Sequence, residues 1–180
     1  MLSDSDIRVA MKEGHISIIP LDEEAIGPCS VDLRLDNVFR VYHPGPPVDL
    51  QAQKPLTEST KLVNTAKEPF MILPGQFILG QTVERIALSS TYAGFLEGRS
   101  SIARLGIIVH AAGLVNPGTG MREPGHLTLE IYCENLSPVL LYPGMRIVQI
   151  MFMPLSSPAK VGYDLRKTSK YIGQKEPNID

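Results

Sequence analysis

Two arginines five residues apart bracket a pair of serines in Gly98-Arg99-Ser100-Ser101-Ile102-Ala103-Arg104-Leu105-Gly106, and a glycine stands at each end. Gly98 permits a sharp turn. Ser100 and Ser101 are natural N-cap residues, and Ile102 to Leu105 can make one or two helical turns before Gly106 ends them. Free N–H groups at a helix start and two forked guanidinium groups suit a phosphate anion. The same residues equally make a surface turn with two solvated arginines. The second candidate is Glu130. In His126 to Cys133, Leu127, Leu129, Ile131 and Cys133 share one face of a strand, and Thr128, Glu130 and Tyr132 share the other. A strand holds a carboxylate more rigidly than a loop does. If the polar face lines a subunit interface, desolvation raises the Glu130 pKa toward the range useful for moving protons. The alternative is a solvated strand face.

Three further features bear on a site. Asn116-Pro117-Gly118 is a good β-turn with Pro at its second position. Gln149 interrupts the otherwise apolar run Met145 to Met153, so it needs a partner in protein, water or ligand. The polar tail Lys167 to Asp180, with Lys170, Gly173, Gln174 and Lys175, reads as solvated and mobile. The four histidines (His15, His43, His110, His126) and two cysteines do not fall at zinc-ligand spacings. No catalytic zinc is therefore expected.

The elements that must position these residues are mostly strands. Ser3 to Glu13 reads as a short helix, capped by Ser3 or Ser5 and ended at Gly14, with Ile7, Ala10 and Met11 on one face. Val31, Leu33 and Leu35 alternate with Asp32, Arg34 and Asp36, and Asn37 to Tyr42 can continue that strand. Residues 49–67 read as a polar excursion. Phe70 to Leu73 and Gln76 to Val83 flank a Pro74-Gly75 turn. Tyr92 to Glu97 feeds the Arg/Ser cluster, Gly106 to Ala111 follows, and Val139 to Tyr142 and Met145 to Met153 flank Pro143-Gly144. Short strands with Gly/Pro turns and little helix predict an all-β sandwich or barrel.

The 180 residues suit one domain with a sizeable core, with no boundary or internal repeat. A net charge of −2 and no Lys/Arg run of five exclude a nucleic-acid field, so any anion site is local. Cys29 and Cys133 sit in apolar contexts and read as buried free thiols of a reducing compartment. No N-terminal apolar run suits a signal peptide or a membrane span, so cytoplasm is the expected location.

The blocks Leu2 to Ile7, Gly27 to Leu35, Gly98 to Gly106, Ala112 to Gly118, Leu127 to Glu130, Pro143 to Gln149 and Ser169 to Gln174 occur in this order. Together they resemble the dCTP deaminase family, a branch of the trimeric dUTPase superfamily, over nearly the whole chain. The resemblance implies a distorted jelly roll of the dUTPase type, a homotrimer with active sites between subunits, and residues 164–180 as a C-terminal lid. It implies dCTP, dUTP and dTTP-type nucleotides as ligands, and Mg²⁺ carried on the triphosphate rather than by the protein.

By position in the matching motifs, Glu130 corresponds to the family's catalytic glutamate and Ser100 and Arg104 to residues that border the base and assist it. Arg99, Ser100 and Ser101 correspond to its triphosphate site. Asn116, Thr128, Leu129, Gln149, Tyr163, Lys170 and Gln174 complete the implied substrate contacts. The implied reaction is hydrolytic deamination of dCTP to dUTP and ammonia. The alternatives are a bifunctional enzyme that goes on to dUMP and pyrophosphate, a dUTPase only, and a catalytically weak nucleotide-binding regulatory homologue.

Two departures bear on these choices. Asn116 stands where the family usually has Asp, and an amide can bond a 3′-hydroxyl but cannot act as a base. The segment Thr119 to Pro124 is longer than the family's usual link to the Thr-Leu-Glu strand. Conversely, Gly113-Leu114 after Ala112, together with Gln149, looks like the dUMP-forming members.

Overall fold

The computed structural model describes residues 1–49, 51, 59–109 and 112–179. Its first element is the helix α1 (Asp4–Lys12). The Ser3 hydroxyl accepts from the Asp6 N–H while the Asp6 carboxylate accepts from the Ser3 N–H, a reciprocal cap that satisfies two otherwise orphaned donors. Ile7 and Ala10 enter the core, Met11 packs at its margin, and Gly14 follows with φ +77°.

Twelve strands follow among the described residues: β1 (Ile16–Ile19), β2 (Val31–Arg34), β3 (Val38–Tyr42), β4 (Thr60–Asn64), β5 (Phe70–Ile72), β6 (Phe77–Leu88), β7 (Tyr92–Gly98), β8 (Ile107–Val109), β9 (Leu114–Val115), β10 (Gly125–Cys133), β11 (Val139–Leu141) and β12 (Arg146–Pro154). A one-turn helix, α2 (Ser100–Ala103), follows β7, and a 3-10 turn spans Tyr163–Leu165. One sheet runs β4-β3-β6-β10-β8, with β1 also on β6; a second runs β2-β12-β7-β9; β5 and β11 form a separate ribbon. Every pairing is antiparallel. Leu33, Ile150 and Phe152 from the second sheet join Phe39, Ile78, Leu129 and Ile131 from the first in one buried cluster. This is the expected all-β architecture. Among the described residues no helix is long and apolar enough to cross a membrane.

Several local expectations are corrected. Residues 38–42 do not extend the 31–35 strand: β2 pairs with β12 and β3 with β4 and β6, so the chain changes sheets between them. The excursion at 49–67 contains β4, an edge strand with mostly exposed side chains and hence no alternating signal. Of that stretch, residues 50 and 52–58 lie outside the described residues. The strands that flank each Pro-Gly turn do not pair across it: β5 bonds to β11, while β6 and β12 belong to the two main sheets. The 106–111 segment gives β8 over Ile107–Val109, with His110 and Ala111 outside the described residues. Both cysteines are free, but only Cys133 is buried; Cys29 is exposed.

Candidate active site

β10 places its residues as period two requires. Leu129, Ile131 and Cys133 are fully buried, while Thr128, Glu130 and Tyr132 are half-buried on the other face. Thr128 and Glu130 line a cleft of about 470 Å³ together with Tyr42, Ala112, Asn116, His126, Tyr163 and Gln174. The Ala112 main-chain N–H donates to Glu130 Oε2 at 3.1 Å, fixing the carboxylate at one oxygen. Gly113 makes this approach possible. Its carbonyl accepts from Leu96 N at 2.7 Å, and a Cβ at 113 would sit 3.0 Å from the Phe95 ring and 3.2 Å from the Leu96 carbonyl. A larger residue would lift the loop that carries Ala112. The Tyr42 phenol is pushed above its ordinary value, chiefly by burial, opposed by Arg40 and reinforced by the Glu130 carboxylate. It stays protonated at neutral pH, an O–H donor in the same cleft.

The C-terminal tail closes one side. The Thr128 hydroxyl donates to Gln174 Oε1 at 2.9 Å, and the His126 N–H donates to the Gln174 carbonyl at 3.2 Å. Tyr171 N–H donates to the Tyr163 hydroxyl at 3.4 Å. Deeper in, the buried Arg40 donates through Nε to the Pro177 carbonyl at 2.6 Å and reaches Glu176 at 3.3 Å. The tail is docked, where composition alone suggested a solvated segment. Lys170 is exposed and does not line the cleft.

The arginine cluster forms a second assembly. Arg99 Nε pairs with Asp32 Oδ1 at 3.0 Å, and its Nη1 donates to the Arg146 carbonyl at 3.1 Å. Arg146 in turn pairs with Asp22 at 2.8 Å and Asp32 at 3.7 Å. The hydrogen bond from Arg146, helped by the Glu24 N–H, holds the Asp22 carboxyl below the usual range. α2 corrects the expected cap: Arg99 occupies the N-cap position without a side-chain capping bond, and Ser100 and Ser101 lie inside the turn, exposed, as is Arg104. Gln149 has protein partners. It accepts from the Ser30 hydroxyl at 2.9 Å and donates to the Gly98 carbonyl at 3.3 Å, which ties it to the residue preceding Arg99.

The chain therefore gathers Glu130, Thr128, Asn116, Tyr163 and Gln174 at one cleft, and Arg99, Ser100, Ser101, Arg104 and Gln149 line none of it. Leu129 belongs to the core; only its backbone can serve a ligand. Sequence reasoning missed Tyr42, His126 and the Ala112 N–H as cleft components, and Arg40 as the anchor of the tail. His126 shares the 126-128-130 spacing with Glu130, a signal that was present; the others come from distant segments. Among the described residues no group of three or more His, Cys, Asp or Glu is arranged to hold a metal ion.

Comparison with known proteins shows the family. A family model described as dCTP deaminase-like matches residues 1–155. A protein of Mycolicibacterium gilvum (strain PYR-GCK) named "dCTP deaminase, dUMP-forming" is 41% identical over 180 residues, covering 98% of this chain and 93% of the relative. One of the same name from Thermobifida fusca (strain YX) is 41% identical over 182 residues, covering 98% and 90%. The solved 2′-deoxycytidine 5′-triphosphate deaminase from Agrobacterium tumefaciens superposes with a TM-score of 0.62 at 24% identity, over 84% of this chain. This chain spans 47% of that one.

Proposed function

Since this chain belongs to the dCTP deaminase-like family, we propose that it hydrolyses the C4 amino group of dCTP, bound as its magnesium complex, and that Glu130 moves the protons. The carrying observation is Glu130 itself, held by the Ala112 N–H within a cleft large enough for a nucleoside. Water adds to C4 while the carboxylate accepts its proton and N3 receives one. The amino nitrogen is then protonated, the C4–N bond breaks, ammonia leaves, and the C4 hydroxyl proton is lost as the uracil carbonyl forms. One carboxylate serves both transfers in turn.

The two assemblies fit a site completed across a subunit boundary. Glu130, Thr128, Asn116, Tyr163 and Gln174 of one subunit would hold base and sugar, and the Arg99–Arg104 segment of a neighbour in a homotrimer would supply Ser100 and Arg104 to the base and Arg99 and Ser101 to the phosphates. Arg99 is already oriented by Asp32, so its fork loses little freedom on meeting a phosphate.

For the product, our reading is dUMP and pyrophosphate, supported by the relatives' names and by Gly113-Leu114 and Gln149, which look like the dUMP-forming members. A second reading, release of dUTP, rests on Asn116, whose amide cannot take a proton from an attacking water. Incubating the purified protein with dCTP and Mg²⁺, and resolving dCTP, dUTP, dUMP and pyrophosphate by chromatography, decides. Ammonia with dUMP and pyrophosphate in step is expected. Ammonia with dUTP alone favours the second reading, and Asn116→Asp should then raise pyrophosphate release more than ammonia release. No ammonia overturns the deaminase reading.

A further inference from the structure

Asp164 is a buried carboxylate outside the chemistry described above, only 3% exposed. Each of its oxygens accepts one main-chain N–H from the loop that follows Asn116: Gly120 to Oδ1 at 3.2 Å and Arg122 to Oδ2 at 2.9 Å. The backbone on either side is stitched to the same loop, Tyr163 N–H to the Pro117 carbonyl at 2.8 Å and Asp164 N–H to the Gly118 carbonyl at 3.4 Å. The loop's other side is bonded to the end of β6 through Leu88 N–H to the Thr119 carbonyl at 2.8 Å. It has nowhere else to go. Gly120 has φ +73°, and a Cβ there would lie 2.2 Å from the Ile86 carbonyl; one at Gly118 would lie 2.5 Å from Gly162 Cα. Asn116, Thr119 and Tyr163, which flank these contacts, all line the cleft.

A charged acceptor aimed at two backbone donors is among the stronger neutral-pH anchors available to a loop. The geometry points to Asp164 as the positioning residue for the sugar side of the cleft: it sets the 116–120 segment so that Asn116 meets the 3′-hydroxyl of the nucleotide, and so governs the preference for a substrate that carries one. This rests on the reading of the cleft as a dCTP site with Asn116 at the deoxyribose. Asp164 touches no substrate atom; it acts through Asn116.

The test compares ammonia release from dCTP and from 2′,3′-dideoxycytidine triphosphate in the unaltered protein, Asn116→Ala, Asp164→Ala and Asp164→Asn. The unaltered protein should favour dCTP, and Asn116→Ala should remove the preference. Asp164→Ala should lower kcat/KM for dCTP by about tenfold or more, the scale of a mispositioned hydrogen bond, with the dideoxy substrate little changed. Asp164→Asn is nearly isosteric and keeps one carbonyl acceptor, so it should fold even where the alanine variant does not, and lose part of the dCTP preference. A merely structural role would lower both substrates equally, and that result in Asp164→Asn overturns the proposal. Full dCTP preference in either Asp164 variant also overturns it. If Asn116→Ala keeps the preference, the Asn116 reading fails and the proposal falls with it. No ammonia from either substrate in the unaltered protein instead indicts the deaminase reading.

Discussion

Glu130 is bonded to Ala112 N–H through one carboxylate oxygen, so an amide in its place can keep that acceptor while losing the ability to carry a proton. Glu130→Gln should therefore fold normally yet release ammonia roughly 10²–10⁴ times more slowly, the usual cost of removing a positioned acid–base group. Single-turnover assays with dCTP, alongside a thermal melt to confirm folding, measure this. Near-native turnover in the Gln variant would remove Glu130 from the mechanism. Ala112 and Gly113 show the same economy of parts: one supplies the N–H, and the other, lacking a side chain, lets the loop lie against Phe95 and the Leu96 carbonyl.

At the scale of elements, the tail is held by contacts to two strands, β10 and β3. Gln174 meets Thr128 and His126 at the cleft, and three residues on, the Pro177 carbonyl takes a bond from the buried Arg40 of β3. A hydrogen bond to a buried charged group contributes about 1.5–3 kcal/mol, so its loss shifts local opening by roughly 10- to 100-fold. Arg40→Ala is expected to expose the tail to trypsin at Lys170 and Lys175 and to raise KM for dCTP more than it lowers kcat. Mass spectrometry of a timed digest, with the thermal melt as control, reads the first effect. A tail that is cut no faster than in the native protein would show that Arg40 does not hold it.

At the scale of the whole molecule, the separation of the two residue groups makes a prediction that one chain alone cannot satisfy. Glu130→Gln and Arg99→Ala are each expected to impair the enzyme, at limiting dCTP in the second case. If neighbouring subunits complete each other's sites, co-expressing the two variants restores intact sites wherever an Arg99→Ala chain lends its Glu130 to a Glu130→Gln chain's Arg99. Random assembly gives about a quarter of native activity, because each closed-ring interface joins two different surfaces. Activity no greater than the average of the two separate variants would place the whole site within one subunit. Light scattering of the unaltered protein checks the trimer independently.

Local alternation and local capping were legible without any coordinates. The period-two patterns of 31–35 and 127–133 set which side chains face the core and put Glu130 on the opposite face, because successive residues of a strand point to opposite sides. Ser3 and Ser5 both offered a start for α1, and the cap at Ser3 involves only residues three apart. What tertiary structure decided was every choice made between distant segments. β4 was hidden because an edge strand facing water has no apolar rhythm, and β5 took β11 as partner although a Pro-Gly turn leads from it toward β6. The tail looked solvated by composition, yet Arg40 and Pro177, 137 residues apart, meet in a buried contact. Nothing in its neighbours in sequence marks Asp164, because the two N–H groups on its oxygens come from 42 and 44 positions away. Sequence periodicity records how a residue faces its own element; it carries no record of which remote donor or acceptor will satisfy a buried charge, and in this protein those remote bonds shape the walls of the cleft.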